Sequence, residues 1–175
     1  MMGLVLGPNG SGKSAYAEKL TTRLSSGELY YIATMIPYGD EGRNRVEKHR
    51  KQRDGVEFIT VEKPSCVSDI PLLTDAVVLL EDVSNLLGNA LFGGNRSGSE
   101  DSVFSDITTL CAKCRASVLV SIDGLTAAQE HDDETRGYID SMNRLNRRLF
   151  DLADTVVTMR DGKPGVVKGD ANALD

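Results

Sequence analysis

The chain has 175 residues, is 40% hydrophobic, contains no Trp and carries a formal net charge of −6. That length suits one domain with a buried core, expected to take up all of 1–175, and the acidic balance argues against a nucleic-acid partner. No apolar run approaches the roughly 20 residues of a membrane span, and a core strand at the very start leaves no room for a signal peptide, so cytoplasm is the expected compartment.

The first predicted strand, 3–6, runs into Gly7-Pro8-Asn9-Gly10-Ser11-Gly12-Lys13-Ser14, and a predicted helix over 13–25 follows. This matches the phosphate-loop pattern G-x-x-x-x-G-K-[ST] without a mismatch, in the strand-to-helix setting its physics requires. Glycines let the backbone fold closely around phosphate oxygens. Successive N–H groups then point inward, and the helix aims its positive end at the same charge. Lys13 is the expected cation for the β and γ phosphates, and Ser14 offers a hydroxyl to Mg²⁺. A nucleoside triphosphate, ATP or GTP, is the expected ligand.

Further strands are predicted at 29–33, 57–61, 77–81, 117–122 and 155–159, with a last hairpin strand at 165–168. Helices are predicted at 41–53, 66–72, 84–91, 102–115 and 134–152. The alternation implies a mostly parallel sheet with helices on both faces, a three-layer α/β fold. The runs Val77-Val78-Leu79-Leu80 and Ser117-Val118-Leu119-Val120 read as strands buried on both sides. Residues 93–100 and 123–133 read as loops, Asp161–Gly165 as a turn, and Gly169–Asp175 as a frayed tail.

A phosphate loop works with an acid at the end of an apolar strand. Glu81 follows Leu80 directly and is the first candidate for Mg²⁺, with Asp82 second. Cys111-x-x-Cys114 falls in a predicted helix with no second pair and no nearby His, so these and Cys66 read as reduced structural thiols. The charged stretch 40–53 reads by itself as a solvated helix. It carries His49, whose cationic neighbours Lys48, Arg50 and Lys51 favour the neutral, nucleophilic imidazole. His131 sits in an acidic loop and reads as surface.

Five blocks taken together resemble the bifunctional adenosylcobinamide kinase / adenosylcobinamide-phosphate guanylyltransferase family of cobalamin biosynthesis. They are the loop ending Ser11-Gly12-Lys13-Ser14 with Ala17-Glu18; Tyr31-Ile32-Ala33-Thr34; Asp40-Glu41 with Arg45-Val46 and His49; Leu79-Leu80-Glu81 with Ser84-Asn85-Leu86-Leu87; and Asp140 with Arg144-Leu145-Asn146, Arg148-Leu149 and Ala153-Asp154. The resemblance implies a RecA-like sheet and a homo-oligomer, commonly a trimer. It also implies phosphorylation of the adenosylcobinamide hydroxyl, followed by GMP transfer from GTP to the resulting phosphate. His49 would be the guanylylated residue, with catalytic Lys13. The nucleotide site would comprise Gly7 to Ser14, Glu81, Thr34 at a strand end, and Glu62 from the Thr60-x-Glu62 block.

The chain departs from the family's pattern in places. Ser121-Ile122-Asp123-Gly124 stands where the family has Asn-Glu-Val-Gly, and Ala127-Ala128-Gln129-Glu130 replaces a Val-Pro block. Ile59 stands in for an arginine, and Pro8-Asn9 for small or basic residues. Two other readings stay open: a monofunctional small-molecule kinase on the same scaffold, and a non-catalytic nucleotide-binding regulatory protein.

Overall fold

The computed structural model describes residues 1–24, 27–37, 58–93, 98–126 and 131–170. The predicted helix over 41–53, with His49, lies outside the described residues. In chain order the elements are β1 (Met2–Gly7), α1 (Lys13–Arg23), β2 (Leu29–Ala33), β3 (Phe58–Glu62), β4 (Val77–Glu81), α2 (Val83–Phe92), α3 (Glu100–Ala112), β5 (Ala116–Ile122), α4 (Asp133–Leu152), β6 (Thr155–Arg160) and β7 (Lys163–Lys168). The strands form one sheet in the order β3-β2-β4-β5-β1-β6-β7. All neighbours are parallel except β6 and β7.

The sheet is covered on both faces, which makes three layers. On one face, Ala17 and Leu20 of α1 pack on Val5, Leu79, Val118, Val120 and Val157. On the other, Leu86 of α2, Ile107 of α3 and Met142, Leu145 and Leu149 of α4 pack on Leu4, Leu80, Leu119 and Val156. Strands β4 and β5 are apolar on both sides because both sides are buried. Leu119 sits in this core with no exposure. Leu119→Ala is expected to cost about 2–5 kcal/mol in a denaturant titration, because a close-packed centre cannot collapse into the gap. A cost below about 1 kcal/mol would show a core far more plastic than this packing suggests.

Two predicted elements need correction. The helix expected over 66–72 is a single 3-10 turn, Val67–Asp69, entered from Cys66 in the left-handed region (φ 53). Pro71 pushes Ile70 into extended geometry and stops the turn there. Asp106 of α3 accepts the Val67 and Ser68 amides, each at 2.8 Å, and so caps the first N–H groups of the turn, which have no partner within a helix of any length. The turn expected over 161–165 shrinks to Asp161-Gly162, and β7 starts at Lys163. Helix α3 begins at Glu100, earlier than its apolar pattern implies, because Ser99 and Ser102 form a reciprocal cap.

Candidate functional site

Strand β1 delivers the chain to the sheet's carboxyl edge, where Gly7 turns it into the phosphate loop. A methyl group at Gly7 would run into Ser11 Oγ and come within 3.0 Å of the Met159 carbonyl of β6, so only glycine fits there. Gly12 enters α1 with φ 85, a left-handed geometry that other residues adopt only under strain. Helix α1 then starts at Lys13, with its amide end towards the loop. Lys13 is largely buried, and its ammonium donates to the Pro8 carbonyl at 3.4 Å, which folds it back over the loop. Ser11 Oγ is buried with no hydrogen-bond partner among the described residues.

Glu81 reaches this loop from β4. Ser14 Oγ donates to Glu81 Oε1 at 2.6 Å, although 67 residues separate them in sequence. Glu81 Oε2 is buried and has no partner among the described residues. Burial pushes the Glu81 carboxyl up to about 8. The Asp82 charge adds to that rise, while the Ser14 hydrogen bond and the Lys13 charge oppose it. The order β4-β5-β1 explains the meeting, since one strand separates the loop from the acid. A serine hydroxyl beside a carboxylate with an orphaned buried oxygen is a hard-oxygen donor set, and it fits Mg²⁺.

Asp82 turns away from the loop. Its carboxylate caps α2, accepting from Asn85 N and Ser84 Oγ at 2.7 Å each. Thr34 is fully buried, and its hydroxyl donates to the Asp82 carbonyl at 2.7 Å and accepts from the Asp82 amide at 2.8 Å. Asn89 of α2 donates to the carbonyls of Thr34 and Pro64, tying α2 to the ends of β2 and β3. Thr34 thus fixes the backbone just after Glu81. Glu62 ends β3, opposite Ala33 and exposed. Its strand lies four positions from β1, roughly 19 Å at the usual spacing. Thr34 and Glu62 flank the segment 38–57, which carries His49. His131, half-buried, accepts from Arg136 through its carbonyl.

One pair at this edge carries no sequence signal. Arg160, the last residue of β6, forms a two-pronged ion pair with Asp123, just beyond β5, at 3.0 and 2.7 Å. The pair becomes visible only once the sheet order places β6 and β5 on either side of β1. The cysteines are all unpaired, and burial pushes the Cys111 and Cys114 thiols up, that of Cys114 to about 11. Such thiols are poor nucleophiles at neutral pH. Among the described residues no cluster of three or more His, Cys, Asp or Glu could hold a metal, and no helix is long and apolar enough to cross a membrane.

A phosphate loop between β1 and α1, faced by an acid from β4 with β5 between them, defines a P-loop nucleotide-binding protein with a RecA-like sheet. A family model described as cobinamide kinase / cobinamide phosphate guanyltransferase matches residues 3–167, and the chain belongs to that family. Among solved structures, the chain resembles a prototypical ATPase from the type III secretion system of pathogenic bacteria, with a TM-score of 0.53 at 12% identity. That likeness covers 99% of this chain but only 60% of the ATPase chain, and it speaks to the fold. It also resembles the flagellar accessory protein FlaH from Methanocaldococcus jannaschii, with a TM-score of 0.47 at 13% identity over 97% of this chain and 78% of that one. No curated protein matches the sequence.

Proposed function

We propose that the protein phosphorylates adenosylcobinamide and then guanylylates the product. In the first reaction the aminopropanol hydroxyl oxygen attacks the γ-phosphorus of ATP or GTP. The bond to the β-phosphate oxygen breaks, the nucleoside diphosphate leaves, and the hydroxyl proton passes to solvent. In the second, an imidazole nitrogen of His49 attacks the α-phosphorus of GTP and pyrophosphate leaves. A phosphate oxygen of adenosylcobinamide phosphate then attacks that phosphorus, the P–N bond breaks, and adenosylcobinamide-GDP forms with the imidazole restored.

The observation that carries this reading is the Ser14–Glu81 contact at the phosphate loop, within a chain that matches the family model over 3–167. In this reading the amides of Gly7 to Ser14, with Pro8, Asn9, Gly10, Ser11 and Gly12 between them, cradle the phosphates. Ser11 Oγ is free among the described residues to donate to a phosphate oxygen. Lys13 exchanges the Pro8 carbonyl for the charge that develops on the γ-phosphoryl. Ser14 and Glu81 would hold Mg²⁺, whose chemistry is to draw charge from the phosphate oxygens. Thr34 keeps Glu81 aimed at the loop, and Glu62 ends the strand that follows the segment carrying His49 in the sequence. A homotrimer, in which a neighbouring subunit completes the site, belongs to the same proposal, as does a cytoplasmic location.

The test is incubation with Mg²⁺ and GTP labelled at the α-phosphate, followed by denaturing separation. Wild type is expected to retain acid-labile label and His49→Ala to retain none. GTP binding without any covalent label on wild type would remove the guanylyl half and leave a kinase.

A further inference from the structure

The Asp123–Arg160 pair bridges the tip of the strand that becomes the phosphate loop. Its two backbones stand on opposite sides of β1, about 10 Å apart at the usual strand spacing, a gap only a long side chain can close. Several contacts anchor it to the loop's root. The Asp123 amide donates to the Gly7 carbonyl at 3.4 Å. Arg160 also donates to the Met159 carbonyl at 3.0 Å, the same oxygen that crowds Gly7. Beyond Arg160, the turn lies beside the other end of the loop, with Gly162 Cα 4.0 Å from the place a Gly12 methyl would occupy.

The chemistry of the pair suits a phosphate chain. A guanidinium has five N–H groups, and three hydrogen bonds from Arg160 are made here, to Asp123 twice and to Met159 once. Two N–H groups therefore remain unused among the described residues. The Arg160 side chain is 53% exposed, against 18% for Asp123, so the cation is the member that faces outward. A lone carboxylate one residue beyond β5 would repel a triphosphate; paired, it becomes a mount for a positive fork. Among the described residues, Lys13 and Arg160 are the cations that hydrogen bonds fix at this loop, in a protein of net charge −6. Arginine matches phosphate oxygens with two parallel donors, which a lysine cannot do. Ser14 and Glu81 stand on the β4 side of the loop, and Arg160 arrives from the β6 side.

We propose that Arg160 is a phosphate-binding residue of this site, held by Asp123 and shared between that carboxylate and the phosphate chain of the bound nucleotide. This rests on the nucleotide reading above. The experiment is calorimetric titration of the whole chain with GTP plus Mg²⁺, GDP plus Mg²⁺, and guanosine, repeated at two salt concentrations. Arg160→Gln is expected to weaken triphosphate binding by about tenfold or more and to flatten its salt dependence, while guanosine binding stays unchanged. Arg160→Lys, which keeps the charge but not the fork, should recover part of the loss. Unchanged triphosphate affinity in Arg160→Gln would overturn the proposal and leave the pair as a brace of the sheet edge. Equal weakening of GTP and guanosine would overturn it too, since that marks a distorted loop. Wild type that binds no triphosphate would overturn the nucleotide reading itself, a result distinct from either.

Discussion

Lys13→Ala is expected to slow phosphoryl transfer to cobinamide by about 10²–10³-fold while leaving the fold in place. The side chain is largely buried, yet among the described residues its ammonium gives one hydrogen bond, a long one of 3.4 Å to Pro8 of its own loop. Nothing in the core depends on it, so the thermal midpoint should move by only a few degrees. The reacting γ-phosphoryl is different. Its charge rises in a water-poor cradle, where a fixed ammonium stabilises it far more than bulk water could. The assay is transfer of labelled γ-phosphate to cobinamide at saturating nucleotide, beside a melting curve of the same preparation. A rate within about threefold of wild type would detach Lys13 from the chemistry, and a collapsed melting point would mean that its role is structural.

Glu81→Gln should have opposite effects on stability and on activity. In metal- and nucleotide-free buffer, the folded state holds a proton on Glu81 up to about pH 8, whereas an unfolded glutamate releases it near its ordinary value of 4.5. The folded state therefore binds more protons across that window, and stability falls as pH rises through it. The contribution is fully present below about pH 4.5 and gone above about pH 8, a loss on the order of 5 kcal/mol. The substituted amide cannot ionise, so the variant should overtake wild type in denaturant titrations as pH climbs from about 5 to about 8.5. With Mg²⁺ and nucleotide present the order should reverse, because the amide offers one oxygen where the carboxylate offers two, and phosphoryl transfer should drop by roughly 10²-fold or more. Parallel pH profiles for the two proteins would show that Glu81 is already ionised in the folded chain near neutrality.

The site is legible in the sequence wherever its chemistry is contiguous. Eight consecutive residues, Gly7 to Ser14, write the phosphate loop, and an apolar run ending in an acid writes Glu81. Their meeting at Ser14 and Glu81 needs the order β4-β5-β1, which leaves a single strand between the two strand ends. Arg160 and Asp123 are silent because their significance lies in strand order, which no local pattern records. The short 3-10 turn at Val67–Asp69 is hidden for a different reason. The stretch 66–72 has helix-like spacing, but Pro71 and the left-handed Cys66 decide the backbone, and Asp106 from a distant helix makes the short turn tenable. Thr34 stands out in the sequence only as a strand-end residue; its work as a clamp on the Asp82 backbone needs the β2–β4 register to be seen.

Strand β1 pairs on one side with β5 and on the other with β6, both of which come far later in the chain. During synthesis it therefore precedes the other strands of its sheet and gains its second neighbour only when β6 is made. At roughly 5–20 residues per second, the ribosome needs on the order of 10 s or more between releasing β1 and finishing β6. Until β5 is made, Leu4, Val5 and Leu6, all buried in the finished sheet, have no strand to lie against, and until β6 is made one edge of β1 stays open. The phosphate loop cannot take up its working shape before then, so a nascent chain that stops short of β6 should be unable to hold nucleotide however complete its motif. Nucleotide binding by this protein is thus a late event in its biogenesis, and the apolar β1 segment is the part most in need of shelter until its last neighbour arrives.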